Sequence, residues 1–181
     1  GMSLWDLIFE QGATPVGVET YANSRRLEKS FRLQNADLLT EYNLIEAGLA
    51  RPTVKDDDFY GKSAYLAQRA RESQTAYLCT LTMTDNRDQS GVERYPVGTC
   101  PIVNPDTGEV LVDDLGRRSY TTSIAYGPSV GKNIALGYLP KAYAQEGRML
   151  VIEYFDEPFP VKVETVGCKG LYDPDNFLPR N

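Results

Sequence analysis

The sequence predicts an α+β chain in which a helical first part is followed by a small antiparallel β-barrel. Three observations carry this. In residues 1–74 the apolar side chains recur at helical spacing: Leu4, Leu7 and Ile8 in one run, Leu27 and Phe31 in another. From Thr75 the period changes to two, with Leu78, Thr80 and Thr82 alternating against Cys79, Leu81 and Met83. Beyond that strand, turn signals recur about every ten residues between short β-forming runs, as in a small barrel. These shifts divide the chain into 1–74 and 75–181.

The elements follow in order. Ser3 stands where it can cap a short amphipathic helix that Gly12 breaks. A second helix is expected from Tyr21. Arg25, Arg26, Lys29 and Arg32 lie where cations suit the helix dipole, and Asn35 is placed to end it in a left-handed cap. Ala47-Gly48-Leu49 reads as a close backbone approach. Asp56-Asp57-Asp58 reads as a solvated turn, because consecutive acids cannot all face one ion. A third, short helix is expected to open within Phe59 to Leu66 and run to about Glu72.

In the second part, strands are expected at 76–83, 101–103, 109–112, 119–125, 134–139, 149–155 and 159–164. Asn104-Pro105-Asp106-Thr107-Gly108 and Asp156-Glu157-Pro158 are the hairpin signals between them. Gly127-Pro128-Ser129-Val130-Gly131-Lys132-Asn133 superficially has the look of a phosphate loop. Three residues rather than four separate its glycines, and Asn133 replaces the hydroxyl that would hold magnesium. It reads instead as a loop joining two barrel strands and packed on the neighbouring domain.

Composition removes several function classes. The 181 residues include no histidine, which excludes Ser-His-Asp and Cys-His chemistry and the usual histidine-bearing metal centres; no metal site is expected. A formal charge of −6 argues against nucleic acid, and no apolar run approaches a membrane span. Cys79, Cys100 and Cys168 lack metal-ligand spacing and suit buried free thiols in a reducing cytoplasm.

Arg26-Leu27-Glu28-Lys29-Ser30-Phe31-Arg32, Ala36-Asp37-Leu38, Glu41-Tyr42 and Glu46-Ala47-Gly48-Leu49 form a block that resembles the folate-binding aminomethyltransferase family, which includes the glycine-cleavage T-protein. The likeness is closer to the folate domains of dimethylglycine and sarcosine dehydrogenases, where RLEK-x-[YF]-R…DL…EY…EAGL recurs. Leu4 to Gly12, Phe59 to Leu66, Thr122-Ser123 with Gly127 to Pro140, and Leu171 to Pro174 extend the resemblance in order along nearly the whole chain. The departures are Gln34-Asn35 for Trp-Gly, Asn43-Leu44 for Thr-Pro, and Ile124 for glycine.

The resemblance implies that 1–74 is the C-terminal portion of the folate-binding domain and 75–181 the T-protein C-terminal β-barrel, so that the chain begins inside a domain. It implies a C-terminal fragment or subunit of a transferase that moves one-carbon units from glycine-type or N-methylglycine-type amines onto tetrahydrofolate. The family's catalytic aspartate lies upstream and has no matching position, so no catalytic residue is assigned and the chain alone is expected to be inactive. Arg26 is the one cofactor-binding candidate, its planar fork suiting a carboxylate or ring of tetrahydrofolate; the alternative is an ion pair with Glu28, Glu46 or another residue of the domain. Glu46 is read as structural, positioned by Gly48.

Uncovered, the apolar helices would cost about 1.5–3 kcal/mol per large side chain. The barrel folding back over them is one cover; a homodimer or a complementary N-terminal chain or domain as partner is the one expected. The rival reading is a non-catalytic barrel module that mediates association and never meets folate.

Overall fold

Ala76–Met83 (β1) is buried along almost its whole length, although a strand with one wet face would alternate. The reason lies in what covers each face. In the computed structural model, which describes residues 1–71, 73–167, 169–175 and 177, β1 sits at the centre of a six-stranded antiparallel sheet. The other strands are β2 (Ile102–Val103), β3 (Thr121–Gly127), β4 (Lys132–Pro140), β5 (Met149–Tyr154) and β6 (Glu157–Val166), in the order β2-β5-β6-β1-β4-β3. A bridge between Pro101 and Tyr120 brings the two ends of this order together, so the sheet curls towards closure as a barrel.

One face of the curled sheet encloses the main core, where Cys79, Leu81, Leu139, Leu150, Ile152, Phe159, Val161 and Val163 pack together. The other face of β1 and β4 presents Leu78, Ile134, Leu136 and Tyr138. Leu27 and Ala47 of the preceding segment cover them. At about 1.5–3 kcal/mol for each large apolar side chain, this second cluster is enough to dock the segment firmly.

The helical part departs most from expectation. The first helix, α1 (Met2–Glu10), runs as expected, but Ser3 lies within it and makes no capping bond. None of its residues is buried. The second is far shorter than expected. A π-helical turn over Thr20–Arg25 leads into a three-residue α2 (Arg26–Glu28), and the chain turns left-handed at Ser30 rather than at Asn35. Four long-range hydrogen bonds account for the early stop. The Ser30 hydroxyl bonds Thr80 Oγ1 at 2.7 Å and donates to the Lys169 carbonyl, while the Glu28 carbonyl accepts the amides of Leu171 and Tyr172. Leu27 is thereby buried, and Phe31, expected on the same face, is 59% exposed. Asn35 does adopt a left-handed φ of 64°, in the tight turn that bridges Gln34 to Leu38.

The third helix, α3 (Lys62–Arg71), opens within the expected stretch; the expected end at Glu72 lies outside the described residues, as does Cys168. The acids at 56–58 are exposed, and Asp58 accepts the Phe59 amide. Asn104 to Gly108 forms its hairpin, with Asn104 donating to Glu109 and Gly108 to Asn104. The β5–β6 turn starts one residue earlier than expected and takes two residues rather than three. Phe155 and Asp156 occupy both left-handed positions, and Glu157 already pairs with Tyr154.

Candidate functional site

The docked segment is fastened to the barrel by three carboxylates, each at a different corner. At the first, the Arg26 guanidinium lies between α2 and β3. Its Nη1 donates to Asp37 Oδ2 at 2.7 Å and to the Phe31 carbonyl at 3.0 Å. Its Nη2 donates to Ser123 Oγ at 3.0 Å and Asn23 Oδ1 at 3.4 Å, and its Nε donates to the Ala22 carbonyl. All of the guanidinium's five donors are engaged. Asp37, with no exposed surface, also accepts the Leu33 amide at 2.8 Å and the Thr122 hydroxyl, while its carbonyl accepts Tyr138 Oη.

At the second corner, the buried Glu28 accepts Arg25 Nη1 at 3.0 Å and the backbone amide of Ser129 in the β3–β4 turn. Gly127 makes this approach possible. A Cβ there would stand 2.5 Å from Ile134 Cδ1 and 3.1 Å from Glu28 Cγ. The glycine-bearing stretch is thus a strand-joining loop packed on the preceding segment.

At the third, Glu46 receives Arg117 Nη2 at 2.6 Å, and Asp113 receives Arg117 Nε at 2.8 Å. The Arg117 guanidinium also lies 4.2 Å from the Tyr42 ring centroid, and Tyr42 stacks on Tyr138 at 3.6 Å. Burial would lower the Arg117 pKa, but the hydrogen bonds it donates to Glu46 and Asp113 outweigh it and the net shift is upward. Burial likewise opposes ionisation of Asp113, yet its bonds to Arg117 and Thr75 hold its pKa below the ordinary value. Both groups therefore stay charged. Burial pushes the Tyr42 and Tyr138 phenols up, so neither serves as a base near neutrality.

Arg26 and Glu46, the two charged residues singled out from sequence, thus belong to separate corners of one docking interface. Arg26 pairs with Asp37 rather than with Glu28 or Glu46. Sequence reasoning missed Asp37, Arg117 and the two hydroxyls of Thr122 and Ser123. One signal was available: Ala36-Asp37-Leu38 and Thr122-Ser123 both belong to the quoted blocks, and it is these blocks that meet. Among the described residues, no group of His, Cys, Asp or Glu side chains is arranged to hold a metal ion. No helix among them is long and apolar enough to cross a membrane.

Residues 78–167 match the glycine cleavage T-protein C-terminal barrel domain family. The barrel is of the T-protein type. An aminomethyltransferase from Francisella tularensis subsp. tularensis (strain WY96-3418) is 31% identical over 140 residues, covering 76% of this chain and 34% of that protein. One from Francisella philomiragia is 28% identical over 163 residues, covering 86% and 40%. The crystal structure of glycine cleavage system aminomethyltransferase T from Bartonella henselae shows the same fold, with a TM-score of 0.62 at 22% identity over 79% of this chain and 36% of that one. Together these matches support the T-protein family. The chain spans about a third of the length of the first of these relatives.

Proposed function

We propose that this chain is the C-terminal portion of a tetrahydrofolate-dependent aminomethyltransferase, with residues 1–74 completing a folate-binding domain and 75–181 forming its barrel. The donor is an amine of the glycine or N-methylglycine type, as the likeness to dimethylglycine and sarcosine dehydrogenases suggests. The carrying observation is an asymmetry. One side of the 26–47 segment is locked to the barrel by three buried carboxylates, while Phe31 and Leu44 on its other side and all of α1 remain uncovered. Such a surface fits a domain wall that waits for its other half, supplied by a complementary chain or domain or by a second copy, in the cytoplasm.

Every N–H of Arg26 is committed within the chain, leaving only the guanidinium's plane for a ligand ring. Arg26 is accordingly proposed as a wall residue of the cofactor site in the complete protein, and no step of the reaction is assigned to it. Calorimetric titration with 5-formyltetrahydrofolate tests this reading. Heat that is saturable and is lost in Arg26→Ala supports it, whereas a defined dimer that gives no heat favours a barrel module devoted to association. Transfer of a one-carbon unit from an aminomethyl donor to tetrahydrofolate by the chain alone, with release of ammonia, would overturn the proposed dependence on an upstream half.

A further inference from the structure

Away from the docked segment, at the β5–β6 turn, the barrel carries a cleft of about 480 Å³ between that turn and the loop around residues 88–95. Three aromatic side chains wall it. Tyr154 is anchored to the core by Phe159, with centroids 6.4 Å apart, and meets the Phe155 ring edge-on at 4.5 Å. Phe155 is 83% exposed at a left-handed turn position, and Tyr95 stands opposite, 64% exposed.

The charges of the cleft do not cancel. Asp88 is tied to Arg94 at 2.8 Å and to the Ser90 and Val92 amides, and Glu93 is tied to Arg87 at 2.9 Å and to the Tyr95 hydroxyl. Glu157 is different: its Oε2 is buried and has no hydrogen-bond partner among the described residues. A buried carboxylate oxygen without a donor is destabilising, and a ligand supplying an N–H would relieve it. Aromatic rings lining the same cleft add an attraction for a cation.

We propose that this cleft binds a primary alkylammonium group, whose N–H donates to Glu157 while its methylenes lie against Phe155, Tyr154 and Tyr95. A quaternary ammonium has no donor for that oxygen, and an alcohol has no charge for the rings, so both should bind more weakly. The group can arrive on a free amine or at the end of a lysine side chain.

The test is an NMR titration of the full chain with n-butylammonium, tetramethylammonium and n-butanol, following the ring resonances of Tyr95, Tyr154 and Phe155. Saturable shifts with n-butylammonium are expected, weakened about tenfold or more in Glu157→Gln, the loss expected for a hydrogen bond to a charged group. Phe155→Ala, on an exposed turn, should weaken binding without disturbing the amide spectrum. Tighter binding of the peptide Gly-Lys-Gly than of n-butylammonium would identify a lysine side chain as the source; equal or weaker binding would identify a free amine. Equal shifts with n-butanol, unchanged binding in Glu157→Gln, or no saturation in the unmodified chain would overturn the assignment.

Discussion

Replacing Asp37 by Ala isolates the first docking corner. The side chains of Arg26 and Asp37 are 8% and 0% exposed, and the pair is closed at 2.7 Å. Removing the carboxylate strands a buried guanidinium, the Leu33 amide and the Thr122 hydroxyl together. Breaking one side of a buried pair costs about 3–5 kcal/mol. At an m-value of about 2 kcal/mol/M, the urea midpoint should fall by about 2 M. The exposed Arg87–Glu93 pair provides the contrast: Glu93→Ala should cost about 0–1 kcal/mol. Urea unfolding followed by circular dichroism reads both. Replacing both partners, as Arg26→Met with Asp37→Leu, should recover more than half of the loss, because apolar residues of similar volume can substitute for a buried pair. An Asp37→Ala variant within about 0.5 kcal/mol of the unmodified chain would refute the reasoning, since that is the range of an ordinary surface change.

Other consequences follow from single residues. Gly48 has a φ of +67°, and a Cβ there would stand 2.7 Å from the Gly167 Cα, so Gly48→Ala should cost about 1–3 kcal/mol or more; an unchanged melting temperature would contradict this. Burial pushes the Cys79 thiol up to about 12, so alkylation at pH 8 should modify it only after unfolding, and rapid labelling of the native chain would be inconsistent with its placement. The Asp88 carboxylate accepts the Ser90 hydroxyl, the Val92 amide and Arg94, and its pKa is lowered to about 2. Because the folded value lies below the ordinary value of roughly 3.9, the loop's stabilisation is complete above about pH 4 and lost as pH falls through about 2. Carboxyl NMR should show that low midpoint, and one near the ordinary value would count against the loop geometry.

The barrel was legible in the sequence because its strands announce themselves locally. Leu78 and Cys79 alternate in the chain, and they point into the two separate clusters that the alternation implies. The hairpin at Asn104–Gly108 carries its own turn chemistry. Where legibility failed, the deciding contact was distant. Nothing near Ser30 says that its hydroxyl will bond Thr80, yet that bond and the returning tail end the second helix at Glu28, before Phe31 could reach the next turn's interior face. Asp37 is an unremarkable acid until Thr122 arrives from 85 positions away. The β5–β6 turn was misplaced because Asp156-Glu157-Pro158 is a good turn on propensity, whereas pairing of Tyr154 with Glu157 fixes a tighter one at Phe155-Asp156.

We propose that the uncovered α1 and the exposed Phe31 and Leu44 of the docked segment are covered by protein in the complete assembly. Sedimentation equilibrium of the chain alone tests it most directly. Association that rises with concentration, and that falls when Trp5 and Ile8 are changed to Asp, is the predicted result. A mass fixed at that of one chain across the concentration range, with or without those substitutions, would contradict it.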